Sequence, residues 1–248
     1  VIMLLLDLGV FNKKSHEVSS KEATIWSIVW ISLSMIFSGV VYWVFNSDGS
    51  AGSHAVAVEK FTQYQAAYWI EKALSVDNLF VFILVFGFFK VPKFLHHKVL
   101  FWGIIGALIF RAIFIFAGVE LIELTYLPEM NIFGHPVKIN VVMTLFGLFL
   151  IYAGIKSWGD GDGDDDEDYS DTAGAKLIKS FWKVSDNYDG DKFFTIQNGI
   201  KMATPLLVVV AVIEFTDVLF AVDSIPAIFA ISNDPFILYT SNIFAILG

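Results

Sequence analysis

The sequence predicts an all-α polytopic membrane bundle with two inverted three-helix repeats and broken or kinked core helices. Three observations predict it. Of the 248 residues, 56% are hydrophobic and 17% charged, with a mean hydropathy of +0.66, well above a soluble domain. Apolar stretches of membrane length recur along the chain. Two of them carry carboxylates in the same frame, Glu71 to Asp77 and Asp217 to Asp223, with Glu214 one helical turn ahead of Asp217. An ionised carboxylate in hydrocarbon costs at least roughly 2.5–3.5 kcal/mol, so matched acids point to a cation site between internal repeats.

Apolar segments fall near 1–11, 24–45, 62–89, 99–124, 137–158, 203–231 and 236–248. Seven spans of ~20 residues fit this pattern. The third and sixth exceed what a straight span needs, which predicts tilt, a kink or a break. Residues 1–158 form a first membrane half of about five spans, 159–201 an acidic loop, and 202–248 the core of the second repeat. Val1–Val10 is apolar but lacks a basic leader and a cleavage site, so no cleaved signal is expected. The chain reads as the core of a longer protein.

Loop charge alternates. Lys13, Lys14 and Lys21 lie in the first loop, Lys90, Lys93 and Lys98 in the third, and Lys176, Lys179, Lys183, Lys192 and Lys201 in the fifth. The loops near 125–136 and 232–235 hold no Lys or Arg, and the loop at 46–60 holds only Lys60. The positive-inside rule then places odd loops in the cytoplasm and the first residues outside, in a plasma or inner membrane. The net charge of −9 sits in loops and a few buried acids, and no nucleic-acid partner is expected. The implied partners are the lipid bilayer, a divalent metal ion and protons as counter-ion.

The fifth loop contains a self-repelling run, Gly159 to Asp168, read as a solvated tract. Asp160, Asp162 and Asp164 resemble the start of a calcium loop, but Asp165 replaces the glycine and Asp171 the glutamate that such loops need. The aromatic stretch Ser180–Thr195 is expected to fold back on the membrane surface, with a hairpin at Asp189-Gly190.

Glu214 and Asp217, three apart, share a helix face. Glu71 and Asp77, six apart, differ by about 240° and share one only if the helix breaks. In the second repeat Pro226 lacks an N–H, which leaves the Val222 carbonyl beside Asp223 without its helical donor. Carboxylates and freed carbonyls at a discontinuous helix coordinate ions in transporters. In the first repeat Ser75 and Asn78 supply alternative polar groups. The chain has no cysteine, and all five histidines are read as loop residues. A carboxylate, amide and carbonyl site favours Mn²⁺, Mg²⁺ or Ca²⁺ over Zn²⁺ or Cu⁺. Candidate metal ligands are therefore Glu71, Asp77, Glu214, Asp217 and Asp223. Asp7, Asn78, Ser224 and Asn242 are further ligand or coupling candidates. Because the acids exceed one divalent charge, some must be protonated or paired with Lys72 or Arg111, a route to proton coupling.

The stretches Glu71–Leu79, Glu214–Ala227 and Thr240–Gly248, with Asp7–Phe11 and Arg111–Ile115, closely resemble the TerC family, in particular its Alx-like branch. The resemblance covers essentially the whole chain. It implies a multi-pass protein related to the LysE exporters, with Mn²⁺ efflux as its activity and an older association with tellurite resistance. The family's intramembrane acids correspond to Glu71, Asp77, Glu214, Asp217 and Asp223. The protein is expected not to be an enzyme. An intramembrane aspartyl protease would carry Gly-x-Gly-Asp inside a span, whereas the matches here fall at 159–164. A metal sensor or assembly factor that binds ions without moving them is the other alternative.

Overall fold

The computed structural model describes residues 20–47, 49, 52–132, 135–159 and 169–247. Helices α1 (Ser20–Asn46), α2 (Ser53–Phe88) and α3 (Lys93–Leu124) come first. Strands β1 (Met130–Ile132) and β2 (His135–Val137) lead into α4 (Val141–Gly159). After a 3-10 turn at Tyr169–Asp171 come α5 (Ala173–Phe181), β3 (Phe194–Gln197), β4 (Ile200–Ala203), α6 (Pro205–Phe229) and α7 (Pro235–Leu247).

The molecule is a helical membrane protein, and its surface says so. Ile36, Trp43, Ile83, Leu84, Ile113, Leu148 and Ile151 face outward, while Ser34, Ser38, Glu71, Arg111, Asp217 and Asn242 are buried. That inversion suits a hydrocarbon solvent. Among the described residues, α1 from Ala23, α3 and α6 are long and apolar enough to cross a membrane. α2 is longer than any of these, at 36 residues, and its Glu59, Lys60, Glu71, Lys72 and Asp77 set it apart. The apolar parts of α4 and α7 are shorter, at Val141–Tyr152 and Pro235–Leu247. The expected first segment lies outside the described residues.

Helix α2 packs on α1, α6 and α7, and α3 packs on α6 and α7. Residues of both halves therefore build one core. Lys60 pairs with Asp234 at 2.8 Å, Ser232 donates to Gln63 at 2.9 Å, and Asn78 donates to Asp217 at 3.4 Å. As numbers rise along α2 their partners fall, so the two motif-bearing helices run antiparallel, as inverted repeats require. Against α3 the order is reversed: Gly103 lies by Ile213 and Gly118 by Phe229, a parallel pairing.

The connections sort to two ends. Lys60–Asp234 and the 3.4 Å bond from Asn233 to the Tyr126 hydroxyl gather the start of α2, the exit of α3 and the α6–α7 turn. At the other end Tyr188 donates to the Phe89 carbonyl at 2.9 Å, and Lys98 binds the Asp191 carbonyl and its carboxylate. The 90–98 and 169–204 segments thus share one end, as expected for the third and fifth lysine-bearing connections.

Several expectations are corrected. Neither core helix is broken: α2 and α6 are each continuous, and α6 keeps Pro226 inside it. Neighbouring helices and local adjustment let a membrane helix hold a proline without interruption. The hairpin lies at β3–β4 rather than at Asp189-Gly190. Its two-residue turn is Asn198-Gly199, at φ 52° and 76°, the paired positive φ of a type I′ turn. The segment after α3 contains the β1–β2 pair. His54 is near the start of α2, His96 and His97 lie in the first two turns of α3, and His135 is in β2, so these four are not loop residues. His16, Asp7 and the acidic run at 160–168 lie outside the described residues.

Candidate functional site

The site is built around one arginine. Helix α3 turns a stripe of Val99, Gly103, Ala107, Arg111, Ile115 and Val119 into the bundle, one residue per turn. Gly103 and Ala107 are small, which lets α6 come close and leaves room beneath Arg111. The arginine is 1% exposed and reaches three other helices. Its Nη1 donates to Glu71 Oε1 on α2 and, at 3.3 Å, to Asn242 Oδ1 on α7. Its Nη2 donates to Asp217 Oδ1 on α6 at 3.2 Å, and Asn78 on α2 donates to the same oxygen.

Glu71 and Asp217, the leading acids of the two matching frames, are thus bridged by one guanidinium. Each uses one carboxylate oxygen for this. Glu71 Oε2 and Asp217 Oδ2 are buried without a hydrogen-bond partner among the described residues, as are Glu214 Oε2, Ser75 Oγ, Ser224 Oγ, Arg111 Nε and Asn242 Nδ2. A buried polar atom left unpaired costs about 1–3 kcal/mol, so a purely structural cluster would hardly keep so many. With the Tyr68 hydroxyl, six of the eight such atoms among the described residues are oxygens, the donor type a hard cation takes.

A cavity of about 280 Å³ opens onto this cluster, with Ser75, Asn78, Arg111 and Asp217 among its lining. Its remaining wall is mainly apolar, including Leu79, Phe82, Leu100 and Ile104. Lys72 lines the cavity too and donates to the Ala245 carbonyl at 3.4 Å, with no acid partner among the described residues. Glu214 sits one turn from Asp217, its carboxyl packed where a side chain on Gly106 would be.

Of the sequence candidates, the structure joins Glu71, Asn78, Arg111, Asp217 and Asn242 into one network. Ser224 is buried without joining it. Asp77 and Asp223 lie in α2 and α6, but their side chains, like all of Asp7, fall outside what is described. Among the described residues no three His, Asp or Glu side chains converge as a ready metal cage, and Arg111 bridges Glu71 and Asp217. Gly106 was not singled out from sequence. Its nearest signal is the adjoining small pair Gly103 and Ala107, four apart on an apolar helix, the spacing that marks close helix packing.

Comparison with known proteins places this geometry in a wider group. The pattern of the integral membrane protein TerC family matches residues 56–248. The chain is 43% identical over all 248 residues to "Uncharacterized membrane protein STKORF319" of Myxococcus xanthus, covering 69% of that protein. It is 38% identical over its whole length to "Putative membrane-bound redox modulator Alx" of Photorhabdus laumondii, covering 72% of it. The protein of that name from Escherichia coli K12 is 37% identical, with the whole chain matched and 71% of the relative covered. No solved structure matches.

Proposed function

We propose, for a chain that belongs to the TerC family of integral membrane proteins, that it exports a hard divalent cation, Mn²⁺ foremost, in exchange for protons. One observation carries the reading. Two antiparallel helices bearing the same acidic frame bring Glu71 and Asp217 to one guanidinium inside a membrane bundle, each with an oxygen unpartnered among the described residues, and Asp217 and Arg111 line a cavity. Acids are kept at that depth for ion or proton traffic.

In this reading Glu71, Asp77, Asp217 and Asp223 supply charged oxygens to the passing ion, and Asn78 and Asn242 supply neutral ones. Glu214 has no ion-pair partner among the described residues and is the group assigned to proton exchange. The lysine-rich end, with Lys90, Lys93, Lys98 and the 169–204 segment, faces the cytoplasm of the inner membrane. A redox role, as in the relatives' name, has no thiol to work through in these residues.

The test is Mn²⁺ movement in sealed vesicles containing the pure protein, followed with an internal metal-sensitive dye under an imposed pH gradient. Gradient-dependent Mn²⁺ flux is expected. Folded protein that passes no Mn²⁺ under either gradient direction would contradict export and leave a binding role.

A further inference from the structure

The network holds a cation already, and it belongs to the protein. Arg111 lies within hydrogen-bond reach of both Glu71 and Asp217, and all three are almost fully buried. Two carboxylates drawn together in a dry site repel each other and lose their hydration. The planar guanidinium answers both at once, because its fork matches two oxygens in fixed directions. A divalent ion taking the unpartnered oxygens of the same two carboxylates would sit within a few ångströms of the guanidinium. It could not share the two carboxylates with the guanidinium, since like charges that close in a poorly screened site repel strongly.

We propose that Arg111 is a tethered cation that occupies the Glu71–Asp217 site when no ion is bound and competes with the divalent ion for it. This rests on the cation-transport reading above. Ion entry through the cavity displaces the guanidinium from Oε1 of Glu71 and Oδ1 of Asp217. The arginine has somewhere to go: it lines the cavity wall beside Ser75 and Asn78, its Nε is unpartnered among the described residues, and Asn242 Oδ1 already accepts from Nη1. Return of the guanidinium pushes the ion off and leaves no bare pair of acids behind. A carrier built this way binds less tightly than its carboxylates allow, and releases its cargo for the same reason.

The experiment is calorimetric titration of Mn²⁺ into the full chain in lipid nanodiscs, comparing wild type with Arg111→Gln and Arg111→Lys. Arg111→Gln is expected to bind Mn²⁺ about tenfold tighter or more, because its competitor is gone. Arg111→Lys should fall between, since an ammonium is a point charge without the fork. Added guanidinium chloride should weaken Mn²⁺ binding to Arg111→Gln back toward wild type, and leave wild type unchanged relative to a sodium chloride control. A merely structural arginine would show no such rescue. If Arg111→Gln fails to fold, Arg111→Lys carries the comparison. Variants that bind Mn²⁺ no more tightly than wild type, with no guanidinium effect, overturn the competition while leaving transport standing. No Mn²⁺ binding by wild type or any folded variant overturns transport, and the competition with it.

Discussion

The carboxyl of Glu214 on α6 occupies the space that a side chain on Gly106 of α3 would fill. An alanine there would drive its Cβ into Glu214, and the acid would have to leave its place. Gly106→Ala is therefore expected to cut Mn²⁺ flux at least tenfold, while Gly147→Ala and Gly154→Ala, which meet open space, change little. Vesicle flux at matched protein levels checks this.

The Glu71–Arg111–Asp217 triad is expected to cost more to break than to replace. Arg111→Met alone leaves two buried acids without their guanidinium, a loss of about 3–5 kcal/mol. Replacing all three residues by apolar ones of similar volume should restore much of that stability and abolish transport. Thermal unfolding in detergent, alongside flux, separates the two effects.

Asp191 and Tyr188 hold the 182–204 segment against the start of α3 and the end of α2, while Asp189 braces the segment internally. Lys98 holds the Asp191 carboxyl below the usual carboxylate value, and Thr195 with Lys192 does the same for Asp189. A depressed folded value means stability present above the ordinary value of 3.8 and lost as pH falls through the lower folded one. Burial pushes the Tyr188 hydroxyl up to about 12. Its contribution is complete below the ordinary value of 10.0 and lost as pH rises through about 12. Protease cleavage in the segment should stay slow from about pH 5 to 9 and quicken in stronger acid and stronger alkali. Rapid cleavage at pH 7 would contradict this docking.

Gly174 anchors the neighbouring helix α5 to the bundle. A Cβ there would meet the backbone of Ala211 and Val212 on α6, which has no room to yield. Gly174→Ala should loosen α5, seen as faster proteolysis near 173–181, with Mn²⁺ binding at the Arg111 network preserved.

What the sequence made legible follows from where charge is costly. Glu71, Asp217 and Glu214 stood out because an acid in an apolar stretch is conspicuous without any structure. Loop alternation was legible for a related reason, since lysine position is a composition signal. The hub role of Arg111 was visible only as a pairing option, because its partners come from α2, α6 and α7 and no local pattern encodes that convergence. Pro226 misled in the opposite sense: its missing N–H is a local fact, but whether a helix breaks depends on its neighbours. Asp189-Gly190 and Asn198-Gly199 are both turn-forming pairs, but only the second has alternating apolar flanks, and the hairpin forms there.

The acidic run at 160–168, outside the described residues, is expected to be dispensable for transport. Replacing Asp164, Asp165 and Asp166 with Asn should lower apparent Mn²⁺ affinity slightly at most, through local cation concentration. Abolished flux at normal expression would make the tract part of the mechanism.

The central claim is that paired acidic frames form the ion path, and Asp77 and Asp223 test it most directly because they hold equivalent places in the two frames. Mn²⁺ flux should be compared in sealed vesicles containing wild type, Asp77→Asn or Asp223→Asn, each checked for folding. Asn keeps the shape and removes the charge that a hard divalent ion needs. The account predicts flux with wild type and loss of it with each variant; near wild-type flux with both Asn variants would contradict it.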